Sequence, residues 1–353
     1  MTYFYAHLFA AEPEISAMFP AAMHAQRQRF YRTLRRIVAT FGDKPDQPAD
    51  EDEFVRYLEA LGRAHRKFGA RKEHYASFRS ALRTTAERFA PGGGNDDWEA
   101  AFDRAAEIMI GAAAEDEGAG ALAWWTAEVI GHELRTPQVA VLTLQPAEPY
   151  PHRPGQHLSV QTPRWPRLWR NYSIASAPRR DGTLTLHVRA VAGGLVSTTL
   201  VHHTVPGDTL LLGRPEGPMT ADTHSERPVL CLAGGTGLAP IKAIAEAIAA
   251  TGERREIVVY FGARTASELY DLAALRQMEL DSPWLEVVPV TSQEMAEGTR
   301  HGTIPDMAAH AKWEDRDVYV SGPDPMIFET VAVLRALGVP GELLHYDLPV
   351  QIA

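Results

Sequence analysis

The sequence predicts a multidomain chain of three unlike parts: an all-α domain, an antiparallel β-barrel, and an α/β domain built on a parallel sheet. Three observations predict it. From Tyr3 to about Ala113 the apolar residues recur with the helical period, and no strand signature interrupts them. From Trp124 to Leu212 short alternating or apolar runs are parted by Pro and Gly-Asp turns. From Pro228 onward strand-like and helix-like runs alternate, the pattern of a parallel doubly wound sheet. The expected boundaries are 1–119, 124–222 and 226–353. A length of 353 residues suits two or three domains, and a hydrophobic content of 45% supplies a core for each.

In the helical third, Tyr75, Phe78, Leu82 and Phe89 fall near one face, as do Trp98, Phe102, Ala106, Met109 and Ala113. Pro13, Pro20, Pro45 with Pro48, and Pro91-Gly92-Gly93-Gly94 separate the helices. The polar, acidic run Asp43 to Asp52 is expected to be a loop, and Asn95 or Asp96 to cap the last helix. In the middle third Val139–Leu144, Leu158–Val160, Arg170–Ser173, Thr183–Arg189 and Thr209–Leu212 are expected to be strands of a small barrel. In the last third the expected strands are Val229–Ala233, Ile257–Gly262, Leu285–Val290, Val318–Val320 and Leu343–Tyr346. The expected helices there are Ala239–Ala250, Ser267–Met278, Ile304–Ala311 and Pro325–Leu337.

Composition excludes several classes. A net charge of −10 argues against nucleic acid or an anionic membrane as main partner. No apolar stretch is long enough for a membrane span. The start, Met1 to Pro20, lacks a basic n-region and carries Glu12 and Glu14, unlike a signal peptide. The one cysteine, Cys231, allows no intramolecular disulfide and sits in the apolar run Val229–Ala233, as a buried strand thiol would. A cytoplasmic protein is expected.

Chemistry concentrates in three stretches. Arg170-Asn171-Tyr172-Ser173 follows Arg153-Pro154-Gly155-Gln156-His157, with the alternating Leu158-Ser159-Val160 between. An arginine can clamp a pyrophosphate bidentately. A tyrosine two residues later shares its strand face and can lie flat on an isoalloxazine ring. A serine can hydrogen-bond the ring edge where hydride arrives. Gly193-Gly194-Leu195-Val196-Ser197-Thr198 follows a strand and opens a helix-like stretch, Thr199 to His202. Backbone amides and Ser197 there make an anion site that, with Arg170, can grip a flavin pyrophosphate from both sides. The third stretch is Gly234-Gly235-Thr236-Gly237-Leu238-Ala239-Pro240 after the first strand of the α/β domain. Its glycines let backbone approach a dinucleotide pyrophosphate at a helix start, although Pro240 departs from the Rossmann G-x-G-x-x-G. The second strand ends in Gly262-Ala263-Arg264-Thr265, where no acidic residue waits for a ribose 2′-hydroxyl. Arg264 suits a 2′-phosphate, but a merely solvated arginine fits as well, so NADH and NADPH both stay open.

These motifs resemble a known superfamily. Together R-P-G-Q, R-x-Y-S and G-G-x-V-S are similar to the flavin domain of the ferredoxin–NADP reductases, with His157 where tyrosine is common. The resemblance implies FAD held by His157, Arg170, Asn171, Tyr172, Ser173, Gly194, Val196 and Ser197. Gly234, Gly235, Thr236, Gly237 and Pro240 match that superfamily's G-G-x-G-x-x-P, and Ser321-Gly322-Pro323 its C-G-P turn with serine for cysteine. With Arg264 these are the implied NAD(P)H contacts. The tail His345-Tyr346-Asp347-Leu348-Pro349 resembles H-Y-E-x-F, with Pro349 replacing the phenylalanine that shields the flavin.

A lone histidine on a helix is usually structural, and His65 lies near the end of such a segment. Its company is what distinguishes it. Phe4-Tyr5-Ala6-His7-Leu8-Phe9, then Pro13-Glu14 and Phe19, Gln26 and Phe30 four apart, Leu61-Gly62-Arg63-Ala64-His65 and then Tyr75 resemble the globin domain of the flavohaemoglobins. The resemblance implies haem b, with His65 as proximal ligand, Tyr5 as distal tyrosine, and Phe19, Gln26 and Phe30 lining the pocket. Tyr75 and Glu115 would complete a hydrogen-bonded proximal set. Such a set makes the imidazole a stronger donor, and a distal phenol can hydrogen-bond O₂. Members of the family begin a helix earlier, whereas four residues precede Tyr5 here, so that helix is expected to be missing. The implied activity is an NAD(P)H-dependent oxidoreductase that passes electrons through FAD to haem and converts nitric oxide and O₂ to nitrate. Two alternatives stand beside it: a haemless or haem-poor flavin reductase serving a partner protein, and a haem-based O₂ or redox sensor.

Overall fold

The computed structural model describes residues 1–20, 23–42, 51–89 and 96–347. Pro45, Pro48, Pro91 to Gly94, Asn95, Leu348 and Pro349, together with most of the run from Asp43, lie outside the described residues. The chain forms two compact units, one ending at Trp124 and the other beginning at Trp125.

The first unit is helical: α1 Thr2–Ala11, α2 Pro13–Ser16, α3 His24–Phe41, α4 Glu51–His65, α5 Lys72–Phe89 and α6 Asp96–Gly118. Pro13 starts α2 at the position where a missing N–H costs no intrahelical bond. The apolar stripes close two cores. Phe4, Tyr5, Leu8, Ile15, Leu82 and Phe102 fill one between α1, α2, α5 and α6. Ile37, Phe54, Leu58, Ala101, Ala105 and Met109 fill the other between α3, α4 and α6. The second depends on a close crossing. A Cβ on Gly62 would lie 2.2 Å from the Met109 carbonyl oxygen, so only glycine lets α4 lie against α6 here.

The second unit starts with β1 Trp125–Thr136, β2 Val139–Pro146, β3 His157–Gln161, β4 Arg170–Ser173, β5 Leu184–Arg189, α7 Leu195–His202 and β6 Thr209–Glu216. The strands pair antiparallel in the order β4-β3-β6-β1-β2-β5. An antiparallel bridge from Ile174 to Leu186 ties the two ends together, which closes the barrel. Val129, Leu142, Leu158, Leu186, Val188 and Leu212 fill its interior.

The chain continues as β7 Val229–Gly234, α8 Leu238–Ala250, β8 Ile257–Ala263, α9 Leu272–Asp281, β9 Leu285–Thr291, β10 Arg300–His301, α10 Ile304–His310, β11 Asp317–Ser321, α11 Asp324–Ala336 and β12 Leu344–Tyr346. This sheet is parallel, in the order β10-β9-β8-β7-β11-β12. Order reverses between β7 and β11, the place where such sheets bind ligands. Cys231 is fully buried in β7, and burial pushes its thiol up to about 12, as a core residue should behave. The helix expected over Ser267–Met278 divides into a 3-10 turn, Ala266–Glu268, and α9. Asp271 explains the break: it is buried between them and accepts a hydrogen bond from Lys242 Nζ at 2.6 Å. β10 was not expected, since a two-residue strand has no periodicity to detect.

The barrel and the parallel sheet share one apolar core, in which Val139 and Met219 pack with Ile241 and Ile244. A polar seam accompanies it. His187 Nδ1 lies 2.8 Å from the Tyr270 hydroxyl. Arg255 donates to the Asp222 carbonyl at 2.6 Å and to Asp317 at 2.6 Å. Among the described residues no helix is long and apolar enough to cross a membrane.

Candidate functional site

A cleft of about 660 Å³ opens at the carboxyl ends of the parallel strands. Gly234 and Gly235 reach it after β7, Arg264 after β8, and Pro323 and Met326 after β11. The two motifs expected to meet a dinucleotide meet each other. A Cβ on Gly237 would lie 2.4 Å from Gly322 N and from Ser321 O, so the glycine loop and the Ser-Gly-Pro turn are in backbone contact. Pro240 falls in the first turn of α8, where its absent N–H breaks no ladder.

Arg189, Tyr270 and Glu268 are among the cleft residues that escaped the sequence. Arg189, at the end of β5, lines it from the barrel side, with a guanidinium nitrogen 3.9 Å from where a Cβ on Gly235 would sit. Tyr270 lines it too, and Glu268 stands across from Arg264. The basic end of a predicted strand was a usable signal for Arg189. Nothing local in Ser267-Glu268-Leu269 marks Glu268.

The R-x-Y-S motif forms β4, beside the Ile174–Leu186 bridge that closes the barrel. It pairs antiparallel with β3, with His157 opposite Ser173 and Ser159 opposite Asn171. Arg170 and Asn171 are exposed, while Tyr172 and Ser173 are half-buried. Burial raises the Tyr172 phenol pKa well above its usual value, so the ring stays neutral. Among the described residues the Arg170 guanidinium hydrogen-bonds only the carbonyl of Trp169, at 2.8 Å, so it has further donors to offer a ligand. Trp165 donates to Thr199 Oγ1 at 3.0 Å and thereby anchors the loop entering β4 to α7. Gly194 caps α7. Ser197 is used inside that turn: its hydroxyl donates to the Gly194 carbonyl at 3.2 Å and accepts from Val191 N–H at 3.3 Å. Val196 is a core residue of the barrel. His157 Nδ1 lies 2.8 Å from an Asp347 carboxylate oxygen, so the end of the described chain is tied to the flavin strand.

In the helical unit the structure brings together all but one of the expected residues. His65 ends α4, and its Nδ1 lies 3.4 Å from the Tyr75 hydroxyl on α5. That is its one hydrogen-bond partner among the described residues, so Nε2 is left over. Burial, helped by the charge of Lys67, pushes the imidazole down to about 4. It is therefore neutral at ordinary pH and keeps a lone pair for a metal. Tyr5, Phe19 and Phe30 join one aromatic cluster: Tyr5 lies 5.6 Å from Phe19 and 6.1 Å from Phe30, and both phenylalanines touch Phe78. Tyr75 packs against the same cluster. The Tyr5 hydroxyl is buried with no hydrogen-bond partner of normal geometry, although Gln26 is near enough to lower its pKa slightly. Burial dominates and pushes the phenol up to about 12. An orphaned buried hydroxyl is costly unless something fills its site.

Glu115 is the exception. It pairs with Arg63 at 3.4 Å and its side chain is 75% exposed. It lies six residues past Met109, about 120° around α6 from the face that meets Gly62. Asp116 beside it pairs with Arg63 and Arg66, each at 3.5 Å, so both acids latch the ends of α4 and α6 and neither hydrogen-bonds His65.

Comparison with known proteins finds a family match for each of the three parts of the chain. The description Globin matches residues 2–112, Oxidoreductase FAD-binding domain residues 127–220, and Oxidoreductase NAD-binding domain residues 231–331. A Flavohemoprotein of Bordetella pertussis is 26% identical over 98% of this chain and 92% of that protein. The electron transfer component of a xylene/toluene monooxygenase from Pseudomonas putida is 33% identical over 55% of this chain and 56% of that protein. The flavohemoglobin structure of Malassezia yamatoensis covers 98% of this chain and 92% of its own, with a TM-score of 0.77 at 19% identity, which shows the fold. Fold and sites together define a globin joined to a flavin- and nicotinamide-dependent oxidoreductase. The chain carries globin, FAD-binding and NAD-binding domains in that order and resembles the flavohaemoglobins over 98% of its length.

Proposed function

We propose that the chain uses NAD(P)H to convert nitric oxide and O₂ to nitrate, as a nitric oxide dioxygenase. The observation that carries this is the neutral, half-buried His65, whose Nε2 has no partner among the described residues, in a chain that also carries the R-x-Y-S strand β4 and a dinucleotide cleft. Bound FAD would take electrons in pairs and release them singly, and bound haem would hold O₂.

The chain's own residues prepare each site. Tyr75 orients the His65 ring through Nδ1, which leaves Nε2 to ligate haem iron. Tyr5 offers an O–H that is otherwise unpaired, with Phe19 and Phe30 excluding water around it. Arg170 and the amides at Gly194 would hold the FAD pyrophosphate, and Tyr172 and Ser173 its ring. The glycine loop, Ser321-Gly322-Pro323 and Arg189 would hold the dinucleotide. In this reading Glu115 has no proximal role, and Tyr75 alone supports His65. The expected cytoplasmic location belongs to the same proposal.

Anaerobic addition of NADH to protein purified with both cofactors tests the electron path. Flavin absorbance should bleach and the haem band should move to its ferrous position. A second reading, an electron-transfer component for a partner protein, draws on the 33% identity to the monooxygenase component. Bleached flavin beside haem that stays ferric would favour it.

A further inference from the structure

We propose that Glu268 makes the cleft selective for a dinucleotide with a free 2′-hydroxyl, so that NADH rather than NADPH is the electron donor. The inference rests on reading the cleft as a dinucleotide site. In an open parallel sheet the phosphates take the glycine loop after the first strand. The adenosine ribose reaches the end of the neighbouring strand, where a carboxylate reads a 2′-hydroxyl or an arginine takes a 2′-phosphate. Here the first strand is β7 and the neighbour is β8. Both kinds of group stand just past β8, Arg264 and Glu268, and both line the cleft.

Their pairing decides between them. The Glu268 carboxylate accepts from Arg264 backbone N–H at 3.2 Å and from Nε at 3.0 Å, and it also holds Nη2. Three donors that would grip a phosphate are thus already engaged, and the arginine's charge is neutralised. A 2′-phosphate brought here meets a carboxylate and has to break the pair to find its cation. A 2′-hydroxyl can donate to a carboxylate oxygen and leave the pair intact.

The other charges in the cleft do not reverse this. Arg189 stands by Gly235, and its charge also reaches Glu268, where it helps keep that carboxylate ionised. Glu329 adds a further negative charge to the lining. The pair is partly exposed, Arg264 by 55% and Glu268 by 33%, and exposed pairs open readily. NADPH is therefore disfavoured and not excluded, by about ten- to a hundredfold.

ADP-ribose and its 2′-phosphorylated form probe this without hydride transfer, since neither carries nicotinamide. Calorimetric titration of the full chain with cofactors should give ADP-ribose about tenfold or more the tighter binding. Glu268→Gln should shrink the ratio by about tenfold, because freed Arg264 can turn to the phosphate. Adding Arg264→Ala should remove that gain. KM values for NADH and NADPH should move in parallel. Wild type that binds both ligands equally, or a folded Glu268→Gln variant with an unchanged ratio, would overturn the inference. Failure of both ligands to bind wild type would overturn the dinucleotide reading itself.

Discussion

His65 and His187 are both held neutral by burial, and they serve different ends. His65 keeps a free nitrogen and lies against one phenol. His187 is 4% exposed in β5, at the seam between barrel and parallel sheet, and burial pushes it down to about 3. The charge of Asp271 raises its pKa in part, but Lys242 already occupies that carboxylate. A sign follows for stability. Between the ordinary histidine pKa near 6.5 and about 3, the unfolded chain binds a proton that folded His187 refuses. The stability of the reductase unit should therefore fall as pH drops through that window. Other groups titrate there too, so the measurement is a difference: urea unfolding at pH 7 and pH 5, for wild type and His187→Gln. Wild type should lose more stability between the two. Equal losses would mean that His187 takes up its proton without unfolding.

Single residues were legible where a chemical role forces a residue type. Tyr5, Phe19, Phe30, His65 and Tyr75 were read from spacing and resemblance, and the structure gathers them. Glu115 was placed by counting along one helix, and helix phase turned it to Arg63 instead. Glu268 was missed because a cleft between two sheets has no counterpart in linear sequence, and Arg189 was marked only by its place at the basic end of a strand.

Elements were legible for a simpler reason: period 2 and period 3.6 are imposed by burial of one face, and these faces are well buried. The failures came where a tertiary contact overrode local preference. Asp271 broke a helix that the pattern would have continued, because Lys242 and the seam recruit its carboxylate. The α4–α6 crossing is another tertiary demand, and it can be tested. Gly62→Ala puts a methyl into the Met109 backbone, three residues before His65, and should destabilise the helical unit by about 1–3 kcal/mol. Gly111→Ala on α6 has open space around it and should instead stabilise by about 0.5–1 kcal/mol through helix propensity. Denaturation followed through helical signal and haem absorbance separates the two. Equal effects would show that the crossing tolerates a side chain.

On the scale of the whole chain, each unit carries one half of the proposed electron path. Within the reductase unit the two sheets are not independent lobes. Val139 and Met219 lie in the core of the parallel sheet, and Arg255, 5% exposed, ties the linker at Asp222 to Asp317. That rigidity suits a step in which a nicotinamide has to meet a flavin ring, since misplacement by about 1 Å can cost a hundredfold in rate. The order of domains was legible because each has its own periodicity. The seam was not, since its members are scattered over Arg135, His187, Lys242 and Asp271.

The central claim is that electrons from a nicotinamide dinucleotide reach a haem held by His65 and are spent on nitric oxide. The direct measurement is nitric oxide consumption in air by the purified protein with NADH, with nitrate as the assayed product, for wild type and His65→Ala. The account predicts rapid, NADH-dependent loss of nitric oxide with matching nitrate in wild type. It predicts loss of that activity in His65→Ala, while reduction of an artificial acceptor by the flavin part is kept. Haem-loaded wild type that leaves nitric oxide untouched, or a variant that consumes it as fast as wild type, would contradict the account.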